Sequence, residues 1–127
     1  PLSQRVKEAK AQILVKNDKI DEALKMIDQL DQVSDFFGAK LYDMGTALYK
    51  EKKYKQALKL YKSAHRIVPS QDKYQISFNA AKASLELEDY DAALKYCYRC
   101  ENEYGQRFED LMPILSQVKQ ELSQQNN

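Results

Sequence analysis

Residues 41–69 read LYDMGTALYKEKKYKQALKLYKSAHRIVP, and this stretch decides the fold. Leu41, Met44, Gly45 and Leu48 fall at i, i+3, i+4 and i+7, which is one stripe of a helix. The polar turn Glu51-Lys52-Lys53 breaks the period, and Tyr54, Ala57, Leu58, Tyr61 and Ala64 resume it on a second helix. Pro69 stops that helix. Gly45 and Ala57 are small, and two antiparallel helices approach closely only where a side chain is missing. Such a hairpin cannot bury both faces alone, so it must stack on neighbours.

The neighbours are in the chain. Ala-Leu-Lys stands at Ala23-Leu24-Lys25, Ala57-Leu58-Lys59 and Ala93-Leu94-Lys95, spaced by 34 and 36 residues. Each copy begins three residues after a large apolar residue that follows a polar turn: Ile20 after Asn17-Asp18-Lys19, Tyr54, and Tyr90 after Glu88-Asp89. Ile27, Tyr61 and Cys97 lie four residues beyond the Ala, and Leu30, Ala64 and Cys100 three further on. The pattern predicts an all-α superhelix of three antiparallel helix hairpins, over about 4–37, 38–71 and 74–105, in a single domain spanning 1–127. Phe108, Leu111, Leu115, Val118 and Leu122 keep helical spacing beyond the third hairpin, with Asp110 and Pro113 near the start, where both are tolerated. A C-terminal capping helix over about 108–123 is expected, its polar outer face made of Gln117, Lys119, Gln120 and Glu121. Ser123-Gln124-Gln125-Asn126-Asn127 reads as a natural end. Pro1, with no initiator Met, stands where a preceding unit would carry its own Pro, so the chain is expected to be the C-terminal piece of a longer one.

Composition agrees with helices. A chain of 127 residues suits one compact core. Three Gly and three Pro are too few for the recurring turns of an all-β protein. Lys plus Arg total 20 against 19 Asp plus Glu, a balance that argues against a nucleic-acid partner. No apolar run has the length of a membrane span and no signal-peptide pattern opens the chain, so no membrane partner and a cytoplasmic location are expected. One His and two Cys leave little material for metal or nucleophile chemistry, and neither a cofactor nor catalysis is expected.

The second unit resembles the tetratricopeptide repeat, through Leu41, Met44, Gly45, Leu48, Ala57, Tyr61 and Pro69. The third follows with Ser77 and Ala80 at weak positions, Ala81 in place of Gly, then Ala93, Cys97 and Cys100, and Gly105 in place of Pro. The first is the most degenerate, with Lys7, Ala11, Leu14, Ala23, Ile27 and Leu30. The resemblance implies protein–protein recognition by a concave groove that the first helix of each unit lines. That face carries Arg5, Glu8, Gln12 and Val15, then Tyr42, Thr46, Tyr49 and Lys50, then Gln75, Phe78, Asn79, Lys82 and Glu86. Aromatic rings flanked by amides, Thr and Lys suit a peptide or helical segment of another protein, because rings give contact area and polar groups bind a backbone. The alternative is that Tyr42, Tyr49 and Phe78 pack against neighbouring helices, since among 9 Tyr several must be core. One subfamily grips the C-terminal carboxylates of chaperones in a clamp of Lys and Asn. Asn79 lies at its central Asn and Lys82 one turn away, but Tyr42 and Thr46 stand where the preceding unit would carry Lys and Asn. The incomplete clamp argues against chaperone tails and leaves a preference for acidic segments through Lys50, Lys82 and Arg5.

Other residues are weighed against plainer readings. Cys97-Tyr98-Arg99-Cys100 has the spacing of zinc and redox pairs, but it falls mid-helix at two packing positions, so free core thiols are expected. His65, without an acid or nucleophile nearby in sequence, reads as a residue at the edge of the convex face. Lys50, Lys52, Lys53, Lys55, Lys59 and Lys62 form a local positive run, read as a solvated helix face or, functionally, as a docking surface for an acidic partner. The related pentatricopeptide class reads RNA, but lacks the Gly, Tyr, Ala and Pro offsets present here. Two functions follow: an adaptor or scaffold module whose groove takes a partner segment, or an assembly or regulatory domain of a larger signalling protein that packs on itself or on another domain. Concentration-dependent light scattering separates them.

Overall fold

The computed structural model describes residues 2–30, 32–104 and 109–125, with the side chain of residue 104 left aside. Expectations that fall on Pro1, Gly105, Phe108, Asn126 and Asn127 lie outside the described residues. Among the described residues there are seven α-helices and no strand: α1 (Leu2–Lys16), α2 (Ile20–Asp28), α3 (Asp35–Lys50), α4 (Tyr54–Ile67), α5 (Lys73–Glu86), α6 (Tyr90–Tyr104) and α7 (Leu111–Gln125). Helices α1 and α2, α3 and α4, and α5 and α6 pair as antiparallel hairpins, and α7 packs on α6 and α5. The architecture is an all-α superhelix.

Each hairpin closes in the same way. Asp18, Lys52 and Glu88 have φ of 64°, 65° and 59°, the left-handed region. The N–H of each donates to the carbonyl three residues back (Val15, Tyr49, Leu85), and the N–H of the next residue to the carbonyl five back (Leu14, Leu48, Ser84), at 2.8–3.0 Å. This paired closure is the Schellman motif, which satisfies carbonyls orphaned at a helix end and favours glycine at the left-handed residue. The following residue then caps the second helix, its carbonyl accepting from Ala23, Ala57 or Ala93. Only the third turn adds a side-chain cap, Asp89 Oδ1 accepting from Ala92 N at 3.2 Å, whereas Lys19 and Lys53 provide none.

The core runs along the seam inside each pair. Ala11, Gly45 and Ala81 are buried on the first helices, and Ala23, Ala57 and Ala93 are fully buried on the second. A methyl group on Gly45 would come within 2.8 Å of the Tyr61 ring and 3.4 Å of the Ala57 carbonyl oxygen, and Tyr61 is only 1% exposed. Tyr61, Phe37, Leu41 and Leu60 are the largest wholly enclosed side chains of the middle hairpin. Helix α7 buries Leu111, Leu115 and Val118, with Pro113 in its first turn, where no intrahelical N–H bond is lost.

The two junctions between hairpins differ. Helix α4 packs along α5, but α2 meets α4, and neither α1 nor α2 brings its backbone closely against α3. Two ion pairs in one register, Lys59–Asp21 and Arg66–Asp28, each 2.8 Å, join α4 to α2. Part of the Lys-rich run thus serves to hold helices together, although exposed pairs of this kind contribute only about 0–1 kcal/mol each. Helix α2 ends at Asp28 without a proline, its last turn tightened by bonds from Gln29 N to Met26 O and Leu30 N to Ile27 O, so Leu30 lies beyond the helix. Helix α3 starts three residues ahead of the expected boundary at 38, because Ser34 Oγ accepts from Phe37 N at 3.1 Å and caps it.

Two stability outcomes follow. Lys52→Gly and Glu88→Gly are each expected to stabilise the fold in thermal denaturation by about 0.5–1 kcal/mol, because the left-handed penalty of about 1–2 kcal/mol exceeds the roughly 0.5–1 kcal/mol of extra glycine entropy. Gly45→Ala is expected to destabilise it by about 1–2 kcal/mol despite a better helix former, because the enclosed Tyr61 ring cannot give way; a raised melting temperature would contradict the close approach.

Candidate peptide groove

Side chains of α3 and α5 form a connected wall. Gly45 lets the Tyr61 ring lie against α3, where its hydroxyl meets Thr46 Oγ1 at 3.0 Å. The Tyr61 and Tyr42 rings tilt at 37° with centroids 5.6 Å apart, within the range of favourable ring pairs. From α5, the Asn79 amide donates to the Tyr42 hydroxyl. Burial pushes the Tyr42 phenol above its ordinary pKa, against the opposing pull of hydrogen bonds with Thr46, Gln75 and Asn79. Tyr61 is raised chiefly by burial as well. Further along, Lys82 Nζ stands 5.6 Å from the Tyr49 ring centroid and 5.5 Å from that of Phe78, so a cation is held between two aromatic faces. Burial, and then the charge of Glu86, raises the Tyr49 phenol.

The sequence-selected residues divide by depth. Tyr42, Thr46, Tyr49, Gln75, Phe78, Asn79 and Lys82 are half-buried, neither core nor free surface. Arg5, Lys50 and Glu86 are exposed, and Gln12 is half-buried. Glu8 is enclosed, its carboxylate accepting from Ser34 Oγ at 3.1 Å and more weakly from Ser34 N at 3.4 Å, and Val15 is buried in the core. Glu8 therefore ties α1 to the cap of α3, a charge-assisted link that mutational series value at about 1.5–3 kcal/mol.

Two clefts flank the wall. One of 610 Å³ lies between α1 and the start of α3, bordered by Arg5, Glu8 and Gln12 on one side and by Val33, Phe36 and Lys40 on the other. It opens where the first junction is loose, which leaves Phe36 70% exposed beneath the Lys40 ammonium, 5.0 Å from its centroid. The second, of 380 Å³, lies beside Tyr42, Gln75 and the short 3-10 turn Ser70–Asp72. Phe36 and Lys40 escaped the sequence reading because Phe36 precedes the unit boundary drawn at 38 and neither falls on the expected groove stripe; the Ser34 cap ahead of an apolar pair was the available signal.

The other chemistry-bearing residues are structural. His65 is not isolated: its Nε2 pairs with Glu103 of α6, whose other oxygen accepts from the buried Ser77 Oγ of α5 at 2.6 Å. That corrects the expectation of a histidine without an acid nearby, since the partner is 38 residues away in sequence. In the order hydroxyl, carboxylate, imidazole, Glu103 stands between Ser77 and His65 and joins α4, α5 and α6. Cys97 and Cys100 are free and wholly buried, Cys100 Sγ lying 3.4 Å from the Tyr74 carbonyl oxygen. No group of three or more potential metal ligands occurs among the described residues, and no helix there is long and apolar enough to cross a membrane.

No family model matches the chain. The Hsp70-Hsp90 organising protein of Plasmodium falciparum (isolate 3D7) is 39% identical over 62 residues, covering 48% of this chain and 11% of that protein. In three dimensions the chain is similar to the N-terminal domain of stress-induced protein-1 (STI-1) from C. elegans, with a TM-score of 0.58 over 92% of this chain and 94% of the other, at 12% identity. Together these likenesses support repeats of the tetratricopeptide type. Gly45, Ala57 and Tyr61 take the seam positions that the packing of the middle hairpin requires. Tyr42 and Thr46 are bound into the wall, and Asn79 is engaged by Tyr42.

The thiols give a pH dependence. Burial, with Glu101 nearby, pushes Cys97 up to about 11, and burial, with Glu103 next, pushes Cys100 up to about 12. Unfolded thiols ionise near 9.0, so above that pH the unfolded state loses protons that the folded state keeps. Stability is therefore expected to fall from pH 9 towards 11, and less steeply in a Cys97→Ala, Cys100→Ala variant. A thiol reagent at pH 8 should modify neither cysteine until denaturant is added; two fast-reacting thiols in the native chain would contradict the burial.

Proposed function

We propose that the chain is a non-catalytic protein-interaction module that binds an extended acidic–apolar segment of a partner protein along the inner faces of α3 and α5. The observation that carries this reading is Lys82, a cation held between the Tyr49 and Phe78 rings. A partner carboxylate meets a charge already positioned, and an apolar side chain meets half-buried rings whose ordering has been prepaid by the fold. The hydrogen-bonded Tyr42, Thr46 and Asn79 add rigidity to the same wall. Similarity to an Hsp70-Hsp90 organising protein supports a protein partner. With Tyr42 and Thr46 in place of the clamp residues, the module differs from chaperone-tail binders in taking an internal carboxylate beside an apolar residue.

Selection from a random peptide library tests this directly. The expected consensus places Asp or Glu next to a large apolar residue, and Lys82→Glu should weaken the selected peptide at least tenfold, about 1.4 kcal/mol. A consensus without acid, or an affinity indifferent to Lys82→Glu, would overturn the reading.

A further inference from the structure

The 380 Å³ cleft and the Lys82 cation belong to one wall. Tyr42 and Gln75 line the cleft and bond to each other in the wall, while Val68, Tyr74 and Ile76 give the cleft apolar surface. Asp72 stands on its border and makes no ion pair among the described residues, so an acidic side chain seated there would meet a like charge. Lys82, between the Tyr49 and Phe78 rings, likewise has no acid within ion-pair distance among those residues. The two places therefore accept different groups, an uncharged apolar one in the cleft and a carboxylate at Lys82.

Their separation selects the form of a segment that reaches both. Tyr42 meets Asn79 and Tyr49 meets Lys82, so α3 and α5 run in the same direction. From Tyr42 to Tyr49, and from Gln75 to Lys82, is seven residues, two helical turns or about 10.5 Å. In an extended strand only residues two or four apart share a face, and they lie about 6.6 or 13.2 Å from each other. A polyproline II helix returns to the same face every three residues, about 9.3 Å further on. Its carbonyls have no internal partners, and Asn79 spends only one of its two amide hydrogens on Tyr42. Tyr42, Tyr74, Phe78 and Tyr49 supply rings from the cleft to Lys82, and aromatic-lined grooves are what polyproline II segments dock into. We propose that this wall takes a proline-rich partner segment in the polyproline II conformation, with an apolar residue in the cleft and Asp or Glu three positions away at Lys82. The inference rests on the groove reading and narrows its extended acidic–apolar segment to one conformation and one spacing.

Proline-rich peptides carrying one Leu and one Asp, set two, three or four positions apart in either order, are the probes, titrated by fluorescence anisotropy against the 127-residue chain. In one of the two orders, the spacing of three should bind at least tenfold more tightly than two or four. Exchanging its prolines for glycines should weaken it severalfold, because the conformation must then be ordered on binding. Ala39 is an exposed residue of the cleft, and Ala39→Glu should remove the preference for Leu over Ala in the peptide while the helical circular dichroism is unchanged. Lys82→Glu should remove the preference for Asp over Asn. Equal affinity at all three spacings, no loss with glycine, or tighter binding of an Ala-rich helical peptide with Leu and Asp seven apart overturns the proposal. The two readings fail differently. Acidic–apolar peptides that bind through Lys82 without regard to spacing leave the groove and remove the polyproline II segment, whereas no binding of an acidic peptide at any spacing removes both.

Discussion

The missing side chain at Gly45 is the constraint on which the side-chain wall across α3 and α5 depends. Without a Cβ there, the Tyr61 ring lies close against α3, with 2.8 Å to where that atom would be. That position brings the Tyr61 hydroxyl to Thr46 and its ring to Tyr42, and Tyr42 in turn takes the Asn79 amide from the next hairpin. A packing event inside one hairpin is thereby converted into a hydrogen-bonded surface spanning two. The same residues serve stability and shape, which is why the wall is half-buried rather than wholly enclosed or wholly free.

Against this, the chain tolerates avoidable costs at its turns. Lys52 and Glu88 hold left-handed backbone that glycine would adopt without strain, yet the Schellman bonds on either side leave them no other conformation. Repetition explains how: each turn is determined by the helices it joins, and the helices by seams of Ala and Gly that recur at the same spacing.

The hairpins were legible in the sequence because their signals are local. The stripe around Gly45, the polar turn and the Ala-Leu-Lys motif each lie within one helical repeat, and the first two involve positions fewer than ten residues apart. What was hidden is non-local. Nothing near His65 announces Glu103, and nothing near Tyr42 announces Asn79, because those partners meet only after α4 and α5 have stacked. The early end of α2 was hidden for a different reason: no proline or glycine marks Asp28, and the next strong signal, the Ser34 cap, belongs to the following helix. The residues proposed for a groove were picked by counting along the first helices, and their division into half-buried wall, enclosed Glu8 and exposed Arg5, Lys50 and Glu86 required the tilt of whole helices.

The inequality of the two junctions gives the molecule a mechanical polarity. Between the second and third hairpins, helix lies along helix and the Ser77, Glu103 and His65 side chains bolt three of them together. Between the first and second, two exposed ion pairs and the Glu8–Ser34 bond bridge a gap. A load applied along the superhelix therefore meets less helix-on-helix packing at the first junction than at the second.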